Sequence, residues 1–211
     1  MDIVLIIILA LVAYLLGSIP SSVWVGKGYF GVDIRDYGSG NAGATNTFRV
    51  LGKQVGTFVL LLDIVKGITA SSLVHYLAFV EHGTDQFINL QLLFGLLAVV
   101  GHIFPVFENF RGGKGIATLF GMLIGIHYVL ALACVALFIV VLLSTKYVSL
   151  SSILAAISFP IFTIFVFKRD EPLLIAFGIV AAVLVVLTHK KNITRLLNGE
   201  ESKAKLFRSK Q

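Results

Sequence analysis

A chain of 211 residues with 57% hydrophobic and 13% charged residues, and a mean hydropathy of +0.95, excludes an ordinary soluble domain. The net charge of +6 sits in clusters between long apolar runs. The single cysteine, Cys134, lies inside one such run, which excludes an intramolecular disulfide or a thiolate metal cluster and reads as a small buried hydrophobe.

Apolar runs near bilayer-crossing length recur along the whole chain, so residues 1–211 read as one integral membrane domain. The N-terminus carries Asp2 instead of a basic region, and its apolar run outlasts a signal peptide's, so it is expected to be a retained first helix. That span covers about residues 3–25, with a kink at Gly17-Ser18-Ile19-Pro20. A polar segment over residues 26–53 contains GSGNAGATNTFR at 38–49. The second span, about 55–79, carries Asp63 and Lys66 on one helical face. At membrane depth they read either as an ion pair that fixes packing or as support for a site. After a short acidic loop at 81–86, the third span covers 88–107, followed by a polar break that contains RGGKG at 111–115.

Residues 116–145 are too long for one untilted span. His127-Tyr128 near the middle suggests a hairpin of two short helices. A small polar loop at 146–152 precedes a span over 153–167, or one beginning a few residues earlier, and the last span covers 173–188 before a basic tail. The expected architecture is all-α and polytopic, with seven transmembrane helices, the N-terminus outside and the C-terminus cytoplasmic. This parity places Lys27, Arg35, Arg49, Lys53, Arg111, Lys114, Lys146 and the tail inside, and leaves only Lys168 and Arg169 outside, balanced by Asp170 and Glu171. It is the arrangement that the positive-inside rule favours.

Three polar clusters then share the cytoplasmic side. In the first, Gly38, Gly40 and Gly43 permit positive φ, so that backbone N–H groups can converge on an anion. Ser39, Asn41, Thr45 and Asn46 add neutral polar groups and Arg49 a fixed cation. The second joins Gly112, Gly113 and Gly115 to Arg111 and Lys114. It is not a P-loop, because Glu108 stands where that motif needs Gly, and Gly115 where it needs Ser or Thr. In the third, His189, Asn192 and Arg195 share a face if the segment is helical, although a basic membrane-surface helix explains it as well. Cations beside glycine-rich backbone suit phosphate, and a site open to lipid and cytoplasm suggests head-group chemistry. No His is followed five residues later by Asp, and no D-x-x-D-G-x-x-A-R, G-x-S-x-G or metal-ligand spacing occurs. His75, His82 and His127 read as structural.

The chain resembles the bacterial membrane glycerol-3-phosphate acyltransferases that use acyl phosphate. The resemblance rests on GSIP at 17–20, GSGNAGATNTFR at 38–49, Asp63/Lys66 followed by Gly67, and GHIFPVFENFRGGKGIAT at 101–118. It continues through KYVSLSS at 146–152 and HKKNITRLLNGEE at 189–201. Arg111 stands where many relatives carry Lys, which keeps the charge. The resemblance implies acyl transfer from acyl phosphate to the sn-1 hydroxyl of glycerol-3-phosphate, giving lysophosphatidic acid and phosphate, the first step of phospholipid synthesis. It implies a monomer in the bacterial cytoplasmic membrane with a cytoplasmic site, surrounded by membrane lipid, with no metal or nucleotide cofactor and no nucleic-acid partner. The family's functional positions fall on Ser39, Asn41, Arg49, Gly113, Lys114, His189 and Asn192, and on a serine among Ser149, Ser151 and Ser152, with Ser152 preferred. On this basis Lys114 and Arg49 hold the leaving phosphate with Ser39 and the loop N–H groups, while His189 and Asn192 position glycerol phosphate. An acyl phosphate carries a good leaving group, so positioning and charge stabilisation outweigh the need for a strong base. Two rival classes are an anion transporter, which would place polar groups at the bilayer midplane, and a head-group enzyme that uses acyl carrier protein.

Overall fold

The structure, a computed structural model, describes residues 2–204; the expectation for the end of the basic tail, 205–211, lies outside them. Among the described residues every regular element is helical. By contacts the chain divides into two compact units, Met1–Tyr128 and Val129–Gln211.

The first unit opens with α1 (Asp2–Ser18) and α2 (Ser21–Phe30), bent by 45° at the break between them. Pro20 supplies that break, because it lacks an N–H and its ring excludes a continuous helix. A turn at Ile34–Asp36 and the short α3 (Ala44–Val50) lead into α4 (Gly52–Ser72), which a turn at Leu73–Tyr76 extends. Helix α5 (Asp85–Ile103) follows, N-capped by the Thr84 hydroxyl, which accepts from the Phe87 N–H. Then comes α6 (Ile116–Thr145).

Small residues set the spacing of these helices, as expected where lipid removes the hydrophobic drive between them. A Cβ on Gly17 would overlap the Ala98 backbone, one on Gly101 the Tyr14 carbonyl, and one on Gly67 the Thr118 carbonyl. Helix α1 therefore lies against α5, and α4 against the start of α6. Leu9, Ala13, Ala70, Val74, Phe94 and Ala98 form a dry cluster among α1, α4 and α5. Beyond it, His75 Nδ1 and His82 Nε2 lie 3.3 Å apart and both rings pack on Phe87.

Helix α6 is interrupted at His127, where φ is −153° and ψ 87°. The interruption falls in the middle of the run that was expected to form a hairpin. The second unit continues with α7 (Val148–Ile161), which relaxes through Pro160 into a π-helical turn at Phe162–Val166. Helices α8 (Pro172–Thr188) and α9 (Lys190–Leu197) follow, bent by 62°. Phe159 and Phe177 meet edge to face at 5.9 Å, which packs α7 on α8. Cys134 is buried beside Ser158.

Among the described residues, four helical segments can cross a bilayer by length and composition, Gly52–Tyr76, Asp85–Glu108, Ile116–Thr145 and Val148–Val166, or up to six if each bent pair counts as one. The loop expected over residues 146–152 is helical from Val148 onward. Its serines do not resist helix formation because Ser151 and Ser152 donate to the carbonyls of Tyr147 and Val148, four residues back.

Candidate active site

The first glycine-rich loop is folded by Asn46, whose side chain is only 1% exposed. Its Oδ1 accepts the Ser39 N–H at 2.8 Å, and its Nδ2 donates to Ile34 O at 2.8 Å and Tyr37 O at 3.0 Å. Gly38 and Gly40, at φ of 62° and 71°, make the reversal that brings the loop over this amide. A Cβ at Gly38 would overlap Asn46 Oδ1. The next three N–H groups, of Asn41, Ala42 and Gly43, have no acceptor among the described residues. Thr45 and Arg49 are exposed on α3, while Ser39 and Asn41 are half-buried.

The second loop folds back on the end of α5. The N–H groups of Gly112 and Gly113 each donate at 3.1 Å, to Ile103 O and His102 O respectively. A Cβ at Gly112 would overlap His102 O, and one at Gly113 would overlap His102 Nε2 and lie 2.7 Å from Ala42 O. The missing side chain at Gly112 therefore lets the second loop close on the end of α5, and that at Gly113 lets it lie directly against the first loop at Ala42. Lys114 follows at once, and Gly115, at φ 76°, turns the chain into α6.

A buried polar network supports this junction from beneath. His102 Nδ1 is 3.2 Å from Thr118 Oγ1 and 3.7 Å from Asp63 Oδ1. Asp63 pairs with Lys66 at 2.9 Å and accepts from Ser21 Oγ at 3.0 Å. Lys66 Nζ also donates to Ile19 O at 2.9 Å, at the break between α1 and α2. The broken helix thus contributes a backbone acceptor to an ion pair that would otherwise be under-coordinated.

At the surface of the same unit, Arg35 Nη2 lies 2.6 Å from both Asp33 Oδ2 and Glu108 Oε2. The hydrogen bond from Arg35, more than any other contact, holds the Asp33 carboxyl below the usual carboxylate range, and its bond to Asp33 chiefly raises the Arg35 guanidinium above its own.

The third cluster belongs to the second unit. His189 caps α8, and its Nδ1 is 2.8 Å from Val185 O. A carbonyl can only accept, so Nδ1 carries a proton in this contact. Asn192 Nδ2 and Ser149 Oγ both donate to Glu201 Oε1, at 2.7 and 2.8 Å. Glu201 and the Arg35 cluster are organising residues that sequence reasoning did not single out, whereas Asn46, expected as a polar group of the substrate site, spends its amide on holding the loop. The signal of Glu201 and the Arg35 cluster is weak, because carboxylates among cations look like solvated surface.

Two glycine-rich loops in contact beside cations, on a frame of bilayer-length helices, fit a lipid head-group enzyme. A family model described as glycerol-3-phosphate acyltransferase matches residues 7–199. A protein of that name from Fusobacterium nucleatum is 44% identical over 192 residues, covering 91% of this chain and 94% of its own. One from Salinibacter ruber is 43% identical over 216 residues, covering 97% and 94%. Crystal structures of PlsY, an integral membrane glycerol 3-phosphate acyltransferase, match in its glycerol 3-phosphate form with a TM-score of 0.83 at 37% identity, over 94% of this chain and 95% of that one. The lysophosphatidic acid form matches with a TM-score of 0.80, at the same identity and over 94% of each chain. The chain belongs to the glycerol-3-phosphate acyltransferase family, and it is an integral membrane acyltransferase.

Proposed function

We propose that this protein transfers a fatty acyl group from acyl phosphate to the sn-1 hydroxyl of glycerol-3-phosphate, acting as one domain over residues 1–211. The observation that carries the reading is the contact of the two glycine-rich loops at Ala42 and Gly113, beside Lys114. The hydroxyl oxygen attacks the acyl carbon, the acyl–phosphate bond breaks, phosphate leaves with the electron pair, and the hydroxyl proton passes to solvent or phosphate. Lys114 and Arg49 hold the phosphate, with Ser39 and the N–H groups of Asn41, Ala42 and Gly43. Gly38, Gly40, Gly112 and Gly115 shape the backbone, while Thr45 and Asn46 complete the first loop. His189 and Asn192 bind glycerol phosphate, with a serine of α7. Charge-assisted contacts that strengthen as the phosphate leaves lower the barrier without a strong base.

Rival donors decide the matter. Purified protein should make lysophosphatidic acid from acyl phosphate without added metal or carrier protein, and use of acyl-CoA alone would refute the reading. Lys114→Ala and Arg49→Ala should each lose about 2–4 kcal/mol of transition-state stabilisation, roughly a hundredfold or more in rate. His189→Ala should mainly raise the acceptor KM; a fall confined to kcat would make it the base.

The seven-span topology, with N-terminus outside and the site facing the cytoplasm, belongs to the same proposal. The break at His127 and the Lys/Arg distribution support it. In a Cys134-free background, cysteines at Gly83, Tyr128 or Asp170 should react with an impermeant reagent from outside. Labelling of position 128 only from the cytoplasm would remove the hairpin. The protein acts as a monomer in the bacterial cytoplasmic membrane.

A further inference from the structure

The segment between α5 and α6 is held in a shape it would not keep alone. Asn109 and Phe110 have φ of 52° and 59°, a left-handed conformation that is uncommon for any residue with a Cβ and rare for a bulky one in two successive positions. Glu108, just before them, is fastened to Arg35 at 2.6 Å. Just after them, the Arg111 carbonyl accepts from Arg35 Nη1 at 3.5 Å. Arg35 in turn is fixed by Asp33, which accepts from its Nε at 2.9 Å, from its Nη2 at 2.6 Å and from its backbone N–H at 3.0 Å. Lys27 of α2 adds contacts to Asp33 at 3.2 Å and Glu108 at 3.6 Å. One planar guanidinium therefore spans the segment leading to Arg49 and the segment leading to Lys114, a geometry that suits the rigid donor fork of Arg and not the point charge of Lys.

The same residues border a cleft of ≈ 790 Å³. Its charged lining is Asp33, Asp36 and Glu108 against Arg35 and Arg111. Three carboxylates against two guanidiniums make a poor receptor for a dianionic phosphate, so Arg35 is not a substrate ligand. Its side chain is 21% exposed, and surface pairs of this kind add little to stability. What the cluster supplies is geometry.

We propose that Arg35 is a positioning residue for the acyl transfer, clasping the Arg49 loop to the Lys114 loop through Asp33 and Glu108 so that both cations meet one phosphate; this rests on the reading under Proposed function. Arg35 acts through Lys114, so its loss must matter only where Lys114 is present.

The test uses the full-length protein in nanodiscs. Arg35→Gln and, as a second route, Glu108→Gln should each lower kcat/KM for acyl phosphate about tenfold through misplacement of the loops, with the unfolding temperature close to wild type. Arg35→Lys should recover only part of that loss. In a Lys114→Ala background Arg35→Gln should cost less than about twofold, the signature of coupled sites. Independently of activity, spin labels at Thr45 and Asn109 with Cys134 replaced should give one narrow distance distribution, broadened by Arg35→Gln. Additive losses with Lys114→Ala, or an unchanged distribution, would overturn the clasp. Failure of the wild-type protein to use acyl phosphate would instead strike the functional reading, and the label distances would still test the clasp.

Discussion

Asp63 and Lys66 pair at 2.9 Å with side chains 2% and 6% exposed, whereas Asp33, Arg35, Glu108 and Lys27 pair at 2.6 to 3.6 Å with side chains 13% to 48% exposed. The two shortest contacts, at 2.6 Å, belong to the cluster that matters less for stability. Water already solvates the surface cluster, so each pair there replaces one good interaction by another. At membrane depth no such substitute exists, and each charge must be completed by protein: Asp63 by Ser21 and Lys66 by the Ile19 carbonyl. Burial, not bond length, sets what an ion pair is worth. A buried pair constrains the fold, and an exposed one can be devoted to aligning loops.

The sharpest break of this contrast is Lys66→Ala. It strands Asp63 inside the bundle, and about 3–5 kcal/mol should be lost, seen as a collapse of folded yield with normal turnover per folded molecule. Replacing both charges, Asp63→Leu with Lys66→Met, should return much of that yield; failure to do so would mean the pair specifies more than neutrality. Next in size is Gly113→Ala. The added methyl meets His102 Nε2 and Ala42 O, and overpacking of about 1–3 kcal/mol is expected, read as a fall in kcat/KM larger than the shift in unfolding temperature. Lys27→Ala, at the exposed rim, should cost under about 1 kcal/mol by thermal unfolding; a larger loss would put the surface cluster in the buried class.

The smallest effect concerns pH. Asp33 has its folded pKa depressed by Arg35, so its contribution is fully present above the unfolded value and is lost only as pH falls towards the lower folded one. The stability difference between wild type and Asp33→Asn should hold steady from pH 8 to about 5 and shrink only below about pH 4, near the unperturbed carboxylate value. A difference that fades already near neutrality would show that Arg35 does not hold this carboxylate.

Much of this was legible in the sequence because its signals are local. Gly17-Ser18-Ile19-Pro20 announces a kink, and the helix breaks at residues 19 and 20. The apolar runs mark where helices lie to within a few residues, apart from the start of α7. There the serines read as polar although their hydroxyls are consumed by the helix that carries them. The glycines of RGGKG announce a flexible loop, but their actual use is steric: Gly113 admits the His102 ring and the Ala42 carbonyl, residues 11 and 71 positions away from it. Such contacts have no local signature. Asn46 is a similar case, because its three bonds reach back to residues 34, 37 and 39, and no spacing rule links those positions to an amide.

The spacing of Asp63 and Lys66 has a further consequence for how the protein enters the bilayer. The two residues stand three apart on α4 and pair along that helix. Counter-charge is therefore supplied by the same segment, one turn away, as soon as the helix forms and before α5 with His102 has been synthesised. A nascent chain leaving the insertion machinery can present α4 to lipid as an electrically neutral unit, with only the residual demand of two polar groups to be met by α1 and α2, which precede it. For α4, charge compensation thus follows the order of synthesis: neither Asp63 nor Lys66 waits for a counter-charge from a later helix. Moving the lysine to α5, even to a site at equal distance from Asp63, would keep the folded contact and lose this order.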